Sequence, residues 1–137
     1  MPLAAPLDAY PMAAKLLLDR GDSDALRYML NTTLHIGNVN YKRVYDFAML
    51  NLIGKLSSDG EKAIDTVSDF IYDIHAARKD REAADMLVAA SDQLHRLGEG
   101  AHLYRSRLQE RASAHFASRE LAGGVRQRLV QAGALSS

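Results

Sequence analysis

The chain has 137 residues, of which 47% are hydrophobic and 25% charged, a composition typical of folded globular proteins rather than disordered ones. Its length suits one compact domain that folds without a metal ion or a crosslink. The chain contains no cysteine, which excludes disulfides, thiolate metal sites and cysteine nucleophiles, and its formal net charge is zero.

The N-terminal residues predict a soluble, cytoplasmic protein. Residues 1–11 contain no basic segment followed by an apolar one, so they do not have the pattern of a secretory signal. No run of apolar residues approaches the length of a membrane span. We therefore expect no contact with a membrane, and we assign residues 1–10 to a lead that precedes the first helix.

Hydrophobic periodicity of the helical kind continues through almost the whole chain. Pro11 is expected in the first turn of the first helix, where its missing N–H costs nothing. Gly21 should end that helix, and Asp22 or Ser23 should accept the first free amides of the second helix.

The third helix, predicted over residues 41–56, differs from its neighbours. Tyr45 and Met49 share one face, while Phe47 and Leu50 cover much of the other. A helix that is apolar nearly all round is typical of the middle of a molecule, and we expect it there.

Single apolar stripes predict the fourth and fifth helices. Ser58 and Glu61 have the spacing of a capping box and should open the fourth helix. The stripe of the fourth helix consists of Ile64, Val67, Ile71 and Ile74. A charged turn over residues 78–82 leads to the fifth helix. The stripe of the fifth helix consists of Ala83, Leu87, Ala90, Leu94 and Leu97.

The end of the chain predicts a sixth helix and a short tail. A glycine-containing turn over residues 98–100 precedes the sixth helix. The apolar stripe of the sixth helix consists of Ala101, Tyr104, Leu108, Ala112 and His115. Residues 123–137 form a hinge followed by a short amphipathic segment, in which Val125 and Leu129 are apolar. This segment is too short to be helical alone. It is therefore expected to dock on its own domain, on a second copy or on a partner.

These elements predict an all-α fold, a single-domain antiparallel helical bundle of six to seven helices over residues 1–137. Residues 11–122 are its helical core, and residues 123–137 are the hinge with the C-terminal segment. Sustained alternation of apolar and polar residues, the pattern of a strand, is not found.

A stack of helical hairpins is the alternative arrangement. Helix starts near residues 23, 59 and 99 suggest a repeat of about 36–40 residues, in the range of helical solenoids. The small-large-small spacing of Ala83, Leu87 and Ala90 resembles the second helix of a tetratricopeptide repeat. That resemblance implies a stack, but an antiparallel bundle with short loops gives the same spacing, and both arrangements stay open.

Two groups of residues are candidates for chemistry. Asp65, Asp69 and Asp73 form a carboxylate row, but it lies opposite the apolar stripe of the fourth helix, which favours a solvated face over a metal or acid–base site. The histidines show no spacing typical of metal ligands, and His115, on the apolar side of the sixth helix, is expected to be packed or partly buried. No phosphate loop or catalytic triad is recognisable. We therefore predict no enzyme, no cofactor and no metal.

Charge is distributed unevenly along the chain. Residues 1–98 carry 11 Lys and Arg against 14 Asp and Glu, whereas residues 99–137 carry 6 Arg, no Lys and 3 Glu. Guanidinium groups bind phosphate or carboxylate with two parallel hydrogen bonds. The arginines do not follow one stripe of a helix, so we favour surface charge or a subunit contact over a nucleic-acid site. The set comprises Arg105, Arg107, Arg111, Arg119, Arg126 and Arg128.

The function expected from these observations is that of a small protein–protein interaction module, an adaptor, chaperone-like or regulatory protein. A partner, through an amphipathic helix, would bind in an interhelical groove, and the six arginines with Val125 and Leu129 would contact it. Homodimerisation through the sixth helix and the tail is a further expectation. The alternative is a regulator that binds nucleic acid through the same arginines.

Overall fold

The computed structural model describes residues 5–36, 40–54, 56, 60–117, 121 and 123–135, with side chains from residue 9 onward. These residues form seven α-helices, one 3-10 turn and no strand, so the all-α prediction is confirmed. The helices are α1 (Ala5–Arg20), α2 (Ser23–Thr33), α3 (Tyr41–Gly54), α4 (Gly60–Ala76), α5 (Asp80–Arg96), α6 (His102–Phe116) and α7 (Val125–Gln131), and the 3-10 turn (Glu99–Ala101) directly precedes α6. In the part of the chain so described, no helix has the length and apolar character needed to cross a membrane.

The first helix starts earlier than predicted. α1 begins at Ala5, inside the segment assigned to a lead, and Pro11 lies within the helix rather than in its first turn. Pro6 lies in the first turn instead, where a missing N–H breaks no helical hydrogen bond. Two prolines five residues apart both fit a helix start, and the prediction chose the later one.

The connection from α1 to α2 is as predicted. Gly21 has a φ of +70°, the left-handed conformation that ends many helices and that glycine adopts without strain. The carboxylate of Asp22 accepts a hydrogen bond from the backbone N–H of Ala25 at 3.1 Å and so caps α2. The predicted capping residue Ser58, by contrast, lies outside the described residues.

Within the described residues, each helix contacts only helices that are one or two positions away along the chain. α1 contacts α2 and α3, α2 contacts α3 and α4, α3 contacts α4 and α5, α4 contacts α5 and α6, and α5 contacts α6 and α7. Across the described ranges, no helix packs against one that is three or more positions away. This is the contact pattern of stacked helical hairpins. The helices form a bundle, and its contacts agree with the stacked alternative.

One cluster of buried apolar side chains extends from Ala14 in α1 to Leu135 beyond α7. The predicted stripe of α4 is buried, and so is Phe70. α3, predicted to be buried all round, is buried only on the side of Tyr45 and its neighbours, and Leu50 remains 46% exposed. An apolar face shows that a helix can be buried, but a neighbouring helix has to cover that face.

The predicted stripe of α5 is correct up to its last member. Leu94 is fully buried, whereas Leu97 is 53% exposed because α5 ends at Arg96. Gly98, with a φ of +89°, then turns the chain into the 3-10 turn before α6.

The C-terminal segment docks on its own chain. α7 begins after Gly124, whose φ is +80°, and packs against α5. Val125 and Leu129 are both buried in the core cluster. A seven-residue helix gains its stability from this packing, since it is too short to persist alone.

Candidate functional site

The carboxylate row of α4 faces arginines from both flanking helices. Arg27 of α2 donates two hydrogen bonds to Asp73, from Nε and Nη2, each 2.8 Å long. Arg107 of α6 binds Asp65 in the same way, at 2.8 and 2.9 Å. The prediction of a solvated row is therefore wrong for Asp73, whereas Asp65 and Asp69 remain 30% and 33% exposed. α2 and α6 pack beside α4, and Asp73 is only 8% exposed.

A third arginine completes this arrangement. Arg111 lies one helical turn after Arg107, and its Nε donates a hydrogen bond of 2.9 Å to the hydroxyl of Ser68. The same guanidinium lies 3.3 Å from Asp65 and 3.8 Å from Asp69. We call these six side chains the Arg–Asp ladder: Arg27, Asp65, Asp69, Asp73, Arg107 and Arg111.

Hydrogen bonds in the ladder favour the charged forms of Arg27, Asp65 and Arg107. The hydrogen bond from Arg107 lowers the pKa of Asp65 below its ordinary value, and the same bond raises the pKa of Arg107. Likewise, the hydrogen bond to Asp73 raises the pKa of Arg27. The guanidinium groups of Arg27 and Arg107 thus donate their paired N–H groups to carboxylates of the same chain.

The structure does not bring the six predicted arginines together. Arg128 of α7 lies 2.5 Å from Asp85 of α5, a carboxylate that also binds Lys42 of α3 at 3.2 Å. Arg126 is exposed on α7, and Arg119 lies outside the described residues. Three members of the set, Arg107, Arg111 and Arg128, therefore hold helices of their own chain together.

The other predicted contact residues are in the interior. Val125 is 4% exposed and Leu129 is fully buried. In this structure both side chains pack within their own chain, and neither offers a surface to another molecule.

Two depressions lie on the first half of α6. The first depression has a volume of about 440 Å³ and is lined by Gly98, Glu99, His102 and Arg105. Within it, Arg105 Nη1 lies 3.4 Å from Nδ1 of His95. Arg105, the first of the six predicted arginines along the chain, therefore lies in this depression.

The second depression lies between the start of α4 and α6, and we call it the α6 groove. Its volume is about 410 Å³, in the range of small binding sites. Its lining consists of Glu61, Gly100, Leu103, Tyr104, Ser106, Arg107 and Glu110. Leu103 is 79% exposed, whereas Tyr104 is half-buried.

Gly60 allows the α6 groove to have this shape. The ring of Tyr104 packs directly on the backbone of Gly60, and a Cβ at that position would overlap the ring. Any larger residue at position 60 would therefore displace Tyr104. The first residue of α4 thus sets the position of an aromatic ring that lines the groove.

The sequence analysis did not identify Leu103 as a contact residue, although its position on the predicted helix indicates an exposed side chain. The sixth helix was predicted from the stripe through Tyr104 and Leu108, which faces the core. At about 100° per residue, Leu103 lies about 140° from the centre of that stripe. A large apolar side chain that far from the buried face is a candidate contact residue.

His115 is partly buried, as predicted. Its ring lies 5.0 Å from that of Tyr72, between centroids. Burial lowers the pKa of His115 below its ordinary value of 6.5, and the charge of Arg111 lowers it further, while Asp69 acts in the opposite direction.

We expect this histidine to make stability depend on pH. Because the folded pKa of His115 is below 6.5, the unfolded chain takes up a proton first as the pH falls, and the free energy of unfolding decreases below about pH 6.5. Denaturant titrations between neutral and mildly acidic pH should show this loss, and His115→Gln should reduce it. His102→Gln, at an exposed site on the same helix, is the control. Equal pH dependence of wild type and His115→Gln would contradict the assignment.

Comparison with protein-family models, with curated proteins and with solved structures finds no match to this chain.

Proposed function

We propose that the protein is an interaction module, of the adaptor, chaperone-like or regulatory kind, that acts in the cytoplasm and binds a partner protein in the α6 groove. The observation that carries this proposal is the exposure of Leu103 beside the half-buried ring of Tyr104, in a depression with a charged rim. A solvent-exposed leucine gains free energy when a partner covers it.

The mode of binding would be helix in groove. A partner helix would place one apolar side chain against Leu103 and Tyr104, and the charged rim would select among partners. Of the arginines expected at the interface, Arg107 lines the groove and Arg105 lines the depression next to it along α6.

The ladder favours a protein partner over nucleic acid. Phosphate binding needs guanidinium groups that are free to leave their neighbours, but Arg107 and Arg111 bind carboxylates of α4, and Arg128 binds Asp85. Each of these arginines would have to break an internal pair before it could neutralise a phosphate.

The proposal is tested by site-specific photo-crosslinking. A photoreactive phenylalanine analogue introduced at Leu103 should form discrete adducts with a partner protein on irradiation in the native cell extract. The same analogue at Tyr28 is the matched control. Tyr28 is 78% exposed, but its exposed neighbours on α2, Asp24 and Thr32, are polar.

The two positions must behave differently for the proposal to stand. Adducts from position 103 that are missing from position 28, and that the additional substitution Tyr104→Ala weakens, would support the α6 groove as the binding site. Equal adduct patterns from both positions, or none from position 103, would contradict it.

A further inference from the structure

We infer that the partner segment in the α6 groove is basic: an amphipathic helix whose apolar anchor is flanked by lysines or arginines. This inference rests on the function proposed above. The arginines of the C-terminal region would favour an acidic partner if they were free. The inferred partner has the opposite charge.

The first step is that Arg107 brings no free positive charge to the groove. Its Nε and Nη2 both donate to the carboxylate of Asp65, at 2.8 and 2.9 Å. A bidentate pair of this kind is close to neutral when seen from outside. A ligand in the groove therefore meets the pair as a dipole rather than as a cation.

The second step is that the carboxylates of the rim are free of such pairs. Glu61 is 76% exposed, and Nη1 of Arg107 lies 4.0 Å from its carboxylate, beyond hydrogen-bond distance. Glu110 is exposed on α6. Arg107 is the one cation among the described lining residues and also binds Asp65, so the two carboxylates of Glu61 and Glu110 leave the lining with a net negative charge.

The third step is the register along α6. Leu103 and Glu110 are seven residues apart and therefore share one face of the helix, two turns apart. Glu99, exposed in the 3-10 turn, lies four residues before Leu103. Arg105 is about 160° away from Leu103 around α6, so it is directed away from this row.

These steps define the chemistry of the ligand. An apolar side chain would lie on Leu103 and Tyr104, with a cation about one turn before or after it to reach Glu61 or Glu110. A basic amphipathic helix presents that pattern on one face, whereas an acidic helix would meet carboxylates on both sides of the anchor.

Two synthetic helical peptides provide the test. They carry the same apolar positions, but lysines flank the anchor in one and glutamates in the other, each with a fluorescent label. Fluorescence anisotropy should show the lysine peptide binding about tenfold more tightly than the glutamate peptide, with affinity that falls as salt is raised. Leu103→Ser should weaken binding of the lysine peptide.

Charge-reversal variants distinguish an effect of the carboxylates in the groove from an effect of the net charge of the protein. The double variant Glu61→Lys with Glu110→Lys should bind the lysine peptide more weakly and the glutamate peptide more tightly than the wild type does. The control variant Asp24→Lys with Asp92→Lys changes the net charge equally at exposed positions of α2 and α5, and it should keep the wild-type preference. Circular dichroism of each variant establishes that it is folded.

The outcomes distinguish this inference from the proposed function. Suppose that position 103 forms partner adducts. If the glutamate peptide then binds as tightly as the lysine peptide, or if the Glu61/Glu110 variant still prefers the lysine peptide, the inference of a basic ligand is wrong. The α6 groove would remain the proposed binding site. Adducts with twice the mass of this chain would identify a second copy as the occupant and would also overturn the inference. Absence of adducts from position 103 would overturn the proposed function itself.

Discussion

Replacement of Leu94 by alanine is expected to lower the free energy of unfolding by about 3 kcal/mol, as for other fully buried leucines. Leu94 is completely buried on the last turns of α5, where it belongs to the core cluster. The loss has two sources: the buried methyl groups that are removed, and the cavity that the rigid surroundings leave open. Urea denaturation followed by circular dichroism measures it.

Leu97→Ala is the matched comparison for Leu94→Ala. The two leucines are three residues apart and were predicted to share one stripe, yet Leu97 is 53% exposed because α5 ends before it. Its replacement should change the free energy of unfolding by no more than about 0.5 kcal/mol. Similar losses at both positions would mean that α5 continues past Arg96 and buries both leucines.

Arg27→Met is expected to cost about 2–3 kcal/mol, the range for hydrogen bonds to a charged group. The substitution keeps the aliphatic stem but removes both donors to Asp73, a carboxylate that is only 8% exposed. Asp73 would then be buried without its guanidinium partner. Thermal and urea unfolding of the variant measure the loss.

Arg107→Met tests the same geometry in a more solvated place. Arg107 also binds its aspartate with two hydrogen bonds, but that partner, Asp65, is 30% exposed and can be rehydrated. We expect a loss of at most about 1 kcal/mol, as for surface ion pairs. If Arg107→Met costs as much as Arg27→Met, burial of the carboxylate does not control the strength of the ladder.

Sequence periodicity predicted the helices and most of their buried faces. The stripe of α4 and the C-terminal helix after Gly124 agree with the structure because both follow from local spacing and from glycine stereochemistry. The start of α1 and the end of α5 were misplaced, at Pro11 and Leu97, because several residues fit the same end signal. Leu50 of α3 is exposed because burial of an apolar face also depends on a neighbouring helix.

The partners of the charged residues could not be read from the sequence. Arg27 and Asp73 are 46 residues apart, and Arg107 and Asp65 are 42 apart. Their pairing depends on which helices flank α4, and helical spacing does not determine that. A charged row opposite an apolar stripe looks solvated until its neighbouring helices are known.

The α6 groove was hidden for a related reason. Leu103 stands outside the buried stripe of α6, but whether an off-stripe leucine is exposed depends on the packing of α4 and α5 beside it. Gly60 shapes the groove through its contact with Tyr104, which is 44 positions away, and no local sequence pattern indicates such a contact.

The neighbour-only contacts of the helices have a consequence for the whole chain. α6 touches α4, α5 and the 3-10 turn, and within the described ranges it has no contact with the first three helices. A ligand in the groove would therefore act on the first three helices only through α4 and α5. The ladder is the route by which α2 reaches this end of the protein, because Asp69 of α4 lies 3.8 Å from both Arg27 of α2 and Arg111 of α6.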